Sequence, residues 1–247
     1  MTERVRRIEL VCYLVGAALI TAGLVHLGVA VVSPRPWLGP LSWRKPATFG
    51  LSFGTTLIAI AWVSSYIRLT DRRRAVLLGV FAVDCVVEVA GITVQAWRHV
   101  PSHFNTESAF DSVVAFSLAA GGAVLLVVLG SLAVAAFRSE GPPAMRLALR
   151  AGFAFLVAGL LAGVAMIARG EVLINGGDRQ AAYDTAGFLK WFHAVTLHAV
   201  LVLPALAWWM SRTGHDEGDS VRVVRRGVAA YLAVSLVTLA ICLFALG

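Results

Sequence analysis

Three ionisable residues, Lys190, His193 and His198, interrupt the apolar stretch KWFHAVTLHAVLVLPALAWWM over residues 190–210. Each is costly in hydrocarbon unless it has a partner or a task, so such a residue marks a functional site by default. A second apolar run carries Asp84, Glu88 and Gln95, and the run nearest the N-terminus carries His26. Imidazoles and carboxylates are ligands for zinc or iron. Axial histidines hold haem iron. A buried carboxylate can also work as a general acid or base.

The elements that must position these groups follow from composition. The chain has 247 residues, 59% of them hydrophobic and only 14% charged. A soluble domain has nearer a quarter charged residues, so the long apolar runs read as membrane spans. The formal charge of +7 comes from short loops between those runs. It therefore reads as a topology signal and not as a nucleic-acid surface. Cys12, Cys85 and Cys242 all fall inside apolar runs without a CxxC pair, which excludes c-type haem and a zinc knuckle. P-loop, dinucleotide-binding and nucleophile-elbow motifs are absent.

Seven runs reach the ~20 residues that a bilayer requires. They cover roughly 9–33, 46–67, 75–97, 112–137, 147–168, 189–211 and 224–246. The expected fold is all-α: one polytopic domain over 1–247, a transmembrane seven-helix bundle in a bacterial cytoplasmic membrane. The basic N-terminus precedes an apolar run too long for a signal peptide, so it reads as a retained first helix. One side of the expected topology collects 14 Lys and Arg and the other 7. That bias places the N-terminus in the cytoplasm and the C-terminus outside. Trp37, Trp43, Trp97 and Trp191 then form an outer aromatic belt, and Trp62, Trp208 and Trp209 an inner one.

Depth sorts the polar residues. At 1.5 Å per residue, His26 lies ~10 Å, His193 ~6 Å, His198 ~13 Å, Gln95 ~3 Å and Glu88 ~13 Å from the outer end of their spans. Asp84 is deeper still. Asp84, Glu88 and Gln95 fall within ~40° on one helix face, whereas His193 and His198 are ~140° apart and meet different neighbours. A buried carboxylate at the depth of Glu88 needs a proton, a cation or a metal beside it. The loop WRHVPSHFNTESAFDS over 97–112 adds Arg98, His103 and Asn105. The segment 168–190 is long, polar and glycine-containing, which reads as a lid. Small residues at Gly159, Gly163 and in AAGG allow close helix packing.

At WRKPATF (43–49), SHFN (102–105) and HAVTLHA (193–199) the chain resembles a group of uncharacterised bacterial seven-helix membrane proteins. The resemblance implies membrane location and no particular activity. Seven-helix zinc hydrolases of the ceramidase and adiponectin-receptor type are a weaker likeness, since their last helix carries HxxxH and the last span here has no histidine. Membrane carotenoid dioxygenases bind iron through four histidines, and His26, His103, His193 and His198 would be the corresponding set here.

Three chemistries follow. In the first, the protein is a membrane oxidoreductase. His26 and a histidine of the sixth span hold haem b, and quinone binds near Gln95, Arg98, Asn105 or Lys190. In the second, a zinc or iron ion on His26, His103, His193 and His198 serves a membrane enzyme acting on a lipid or isoprenoid, with Glu88, Asp84 and Lys190 as catalytic groups. A metal-free form uses Glu88 or Asp84 as proton donor. In the third, the same residues form the relay of a proton-coupled transporter, or the input of a sensor.

Overall fold

The computed structural model describes residues 6–245. Arg4, one of the residues behind the charge bias, and residue 246 of the expected seventh span lie outside them. The described chain forms eight helices: α1 (Arg7–Val32), α2 (Arg44–Ser64), α3 (Asp71–Trp97), α4 (Ala109–Arg138), α5 (Pro143–Asn175), α6 (Arg179–Thr185), α7 (Lys190–Arg212) and α8 (Glu217–Phe244). All but α6 are long and apolar enough to cross a membrane.

Local chemistry explains where the boundaries moved from expectation. Helix α2 begins two residues before Pro46. A proline in the first turn is tolerated because the first four amides of a helix have no intrahelical partner. The segment 168–190, expected to be a loop, is mostly helical. Val172, Leu173 and Ile174 carry α5 on to Asn175. Gly177 then ends it in the left-handed region (φ 85°) that glycine adopts without penalty. Asp178 caps α6 by accepting a hydrogen bond from the Ala181 amide at 3.0 Å.

The chain divides into two compact units. The first takes residues up to Ala61, Arg72–Val128 and Arg169–Ala186; the second takes Trp62–Asp71, Leu129–Ala168 and residues from Gly187 onward.

In the first unit, α1 and α2 touch backbone to backbone. A Cβ on Gly54 would lie 2.5 Å from the Gly16 carbonyl oxygen, and one on Gly50 would lie 2.8 Å from Gly23 Cα. Glycine here allows the close approach on which helix association in a membrane depends. Gly54→Leu should therefore lower stability by about 1–3 kcal/mol. Gly28 has open space around it, so Gly28→Leu should be silent. Equal melting temperatures for the two variants in detergent would refute this crossing. Near the start of α1, Glu9 and Arg74 are both buried, with a 3.8 Å ion pair between them. Cys12 and Cys85, also in this unit, are buried free thiols.

In the second unit, glycines of α5 face α7. A Cβ on Gly152 would meet Val200 Cα at 3.0 Å, and one on Gly159 would meet Thr196 Oγ1 at 2.7 Å. Pro204 lies inside α7, where its ring denies the helix one amide donor. Tyr231 of α8 donates its hydroxyl to the Val195 carbonyl of α7 at 2.6 Å. Arg68 bonds Glu140 at 2.9 Å, and its amide donates to Ser139 Oγ at 3.0 Å.

Candidate functional site

The site grows from the polar face of α3. Asp84 and Glu88 are one helical turn apart, so their side chains leave the same face. Both are buried. The space they fill is provided by α4. A Cβ on Gly121 would lie 2.5 Å from Glu88 Oε1 and 2.8 Å from Asp84 Oδ1. Two carboxylates therefore flank one point where a helix offers no side chain. Asp84 Oδ2 is buried and has no hydrogen-bond partner among the described residues.

The charge of one cation acts on Glu88. Lys45, in the first turn of α2, interacts electrostatically with Glu88. The positive end of the helix macrodipole disfavours a lysine at that position, so an acidic neighbour is what balances it. Lys45 Nζ also lies 3.3 Å from His103 Nδ1, and Ser102 Oγ lies 3.0 Å from the same nitrogen. An ammonium group is a donor only, so His103 Nδ1 accepts and the ring proton sits on Nε2. Burial and the Lys45 charge hold the His103 imidazole well below the usual histidine range.

The sign of the resulting pH dependence is fixed. A histidine harder to protonate in the native state leaves the unfolded chain with more bound protons as pH falls past ~6.5. Stability is therefore lost on acidification below that value and is fully present above it. His103→Gln should flatten the fall in melting temperature between about pH 6.5 and pH 5. An unchanged slope in that variant would show that His103 does not titrate against folding.

The loop that carries His103 is held under strain. Phe104 has φ 61°, a conformation unfavourable for an aromatic residue. Its ring lies so close to Gly170 that any Cβ there would overlap it. Asn105 is fully buried. Its Oδ1 accepts from the Glu107 amide at 3.1 Å, and its Nδ2 has no partner among the described residues. Arg179 on α6 bonds Glu107 at 3.1 Å and ties the loop to that short helix.

The other expected site residues are placed as follows. Gln95 donates to Asp111 Oδ1 at 2.8 Å, Arg98 bonds both Gln95 and Asp111, and Ser108 Oγ donates to Asp111 Oδ2 at 2.5 Å. This network joins the end of α3 to the start of α4. His26 has both ring nitrogens engaged. Nδ1 faces the Ala22 carbonyl at 2.7 Å, and Nε2 accepts from the Trp97 indole at 3.1 Å. A carbonyl only accepts and an indole only donates, so Nδ1 donates and Nε2 accepts. Trp43, expected in the outer belt, is instead buried against Trp97 at 4.9 Å between centroids, with Arg35 stacked over it at 4.6 Å.

His193 and His198 belong to the second unit. His193 Nδ1 donates to the Gly159 carbonyl of α5 at 2.7 Å, and His198 Nδ1 to the Ala194 carbonyl of its own helix at 2.7 Å. Lys190 is exposed, with Nζ 5.7 Å from the centroid of the Trp191 ring. His26 and His103 belong to the first unit, and His193 and His198 to the second. Among the described residues, no three His, Cys, Asp or Glu side chains come together to hold a metal.

Lys45 and Gly121 are the residues that sequence reasoning left out of the site. A lysine just before an apolar run reads as a flanking charge, and a glycine in AAGG reads as packing. The one available signal was the imbalance of two acidic residues in the third span with no cation in that span.

Seven apolar helices make this a multi-pass helical membrane protein. The chain matches no protein-family model, no curated protein and no solved structure.

Proposed function

We propose that the protein takes up and releases a proton at the Asp84–Glu88 pair, with Lys45 as counter-charge and His103, on the loop after α3, as the next group beyond Lys45. The carrying observation is the two buried carboxylates packed on Gly121, one of which, Glu88, feels the charge of Lys45. Charge bookkeeping supports the reading. Two carboxylates against one ammonium leave one negative charge, which an apolar setting balances with a proton. Intramembrane carboxylates and histidines in series are the parts of proton relays. The same groups would serve acid–base chemistry on a membrane-soluble substrate.

A haem or metal oxidoreductase draws less support. Both nitrogens of His26 are engaged, and among the described residues no three His, Cys, Asp or Glu side chains group to hold a metal. The quinone partner rests on the oxidoreductase reading and falls behind with it.

Infrared difference spectroscopy of the protein in lipid nanodiscs tests the proposal. A protonated carboxyl band should be present at neutral pH, disappear on alkalinisation, and be removed or shifted in Glu88→Gln and Asp84→Asn. Absence of such a band in the wild type at every pH would overturn it.

A further inference from the structure

The second unit carries a separate feature at the ends where α5 and α8 begin. A shallow cavity of about 360 Å³ is lined by Pro143, Glu217, Gly218, Val221, Arg222 and Arg225. Its one carboxylate is already committed: Glu217 accepts the Ala144 amide of α5 at 2.7 Å. Arg222 bonds Asp219 at 2.5 Å, but both side chains are largely exposed, and a surface pair of that kind is weak. Arg225 is exposed and enters none of the ion pairs described.

The periodicity of α8 indicates what these arginines face. At 100° per residue, Leu232, Leu236 and Leu243 all fall within ~20° of Arg225. All three leucines are exposed, at 48%, 56% and 53%. One helix face therefore begins with an arginine at a cavity and continues as bare hydrocarbon. Leu232 and Leu236 lie ~10 Å and ~16 Å along the axis from Arg225, the depth of one bilayer leaflet. A free phosphate would use the arginines and ignore the stripe. A phospholipid uses both, and basic pockets between helices at a membrane surface suit anionic head groups.

We propose that this cavity binds the phosphate of an anionic phospholipid through Arg222 and Arg225, with an acyl chain laid along Leu232 and Leu236. The inference is independent of the proton site.

Native mass spectrometry of the detergent-purified full chain, titrated with phosphatidylglycerol, phosphatidylcholine or inorganic phosphate, tests it. Phosphatidylglycerol should be retained in preference to phosphatidylcholine. Arg225→Gln should weaken it about 5-fold and the Arg222→Gln/Arg225→Gln double variant about 30-fold. Both substitutions are on exposed side chains, and an unchanged melting temperature confirms that the variants fold. Equal retention of the two lipids, or undiminished binding by the double variant, would overturn the proposal. So would inorganic phosphate competing at the same concentration, since that marks a free-anion site.

Discussion

Lys45→Met is expected to lower stability by about 3 kcal/mol, because it leaves the carboxylates of α3 without their cation. The loss should be largely recovered in Lys45→Met/Glu88→Gln, where the unbalanced charge is gone as well. Removing one member of an apolar-site pair strands the other, whereas removing both strands nothing. Unfolding of the four proteins of this double-mutant cycle in detergent micelles measures the coupling directly. Strictly additive losses would mean that Lys45 and Glu88 do not interact, and the proton site would lose its counter-charge. The single variant should also cost His103 one of the two groups that face its Nδ1, leaving Ser102 Oγ. The imidazole of Lys45→Met should therefore titrate nearer its ordinary range than in the wild type, since one of the two causes holding it down has been removed.

Gly121→Ala tests the same site without deleting any polar group. The added methyl carbon would overlap Glu88 Oε1 and Asp84 Oδ1, and the carboxylates must move to admit it. Proton transfer is sensitive to such displacement, because a donor and acceptor work only within hydrogen-bond reach. The rate of proton exchange, read by stopped-flow infrared or by a dye in liposomes, should fall about 100-fold. Gly122, one residue on, has open space around it. Gly122→Ala should leave the rate unchanged and so controls for any general effect of alanine on α4. Similar rates in the two variants would separate the carboxylate pair from proton movement.

Much of this protein is determined by the sequence alone. Apolar runs of about 20 residues can only be satisfied as helices in a bilayer, and seven such helices are found. The expected boundaries differ most at the 168–190 segment, where Val172–Ile174 prolong α5 and Gly177 stops it. The shared face of Asp84 and Glu88 was equally legible, since a spacing of four places two side chains on one side of any helix.

Tertiary structure decided which groups meet that face. Periodicity gives the direction of a side chain on its own helix and says nothing about the neighbouring helix. Lys45 acts on Glu88 from α2 and Gly121 makes room for both carboxylates from α4, so neither could be assigned from spacing. The histidines show the converse. Their spacing gave no partner, and in the structure His26, His193 and His198 each have a ring nitrogen on a backbone carbonyl. An imidazole in an apolar setting takes the first acceptor within reach, because an unpaired buried donor costs more than the bond returns. Only the packed structure shows where that acceptor lies.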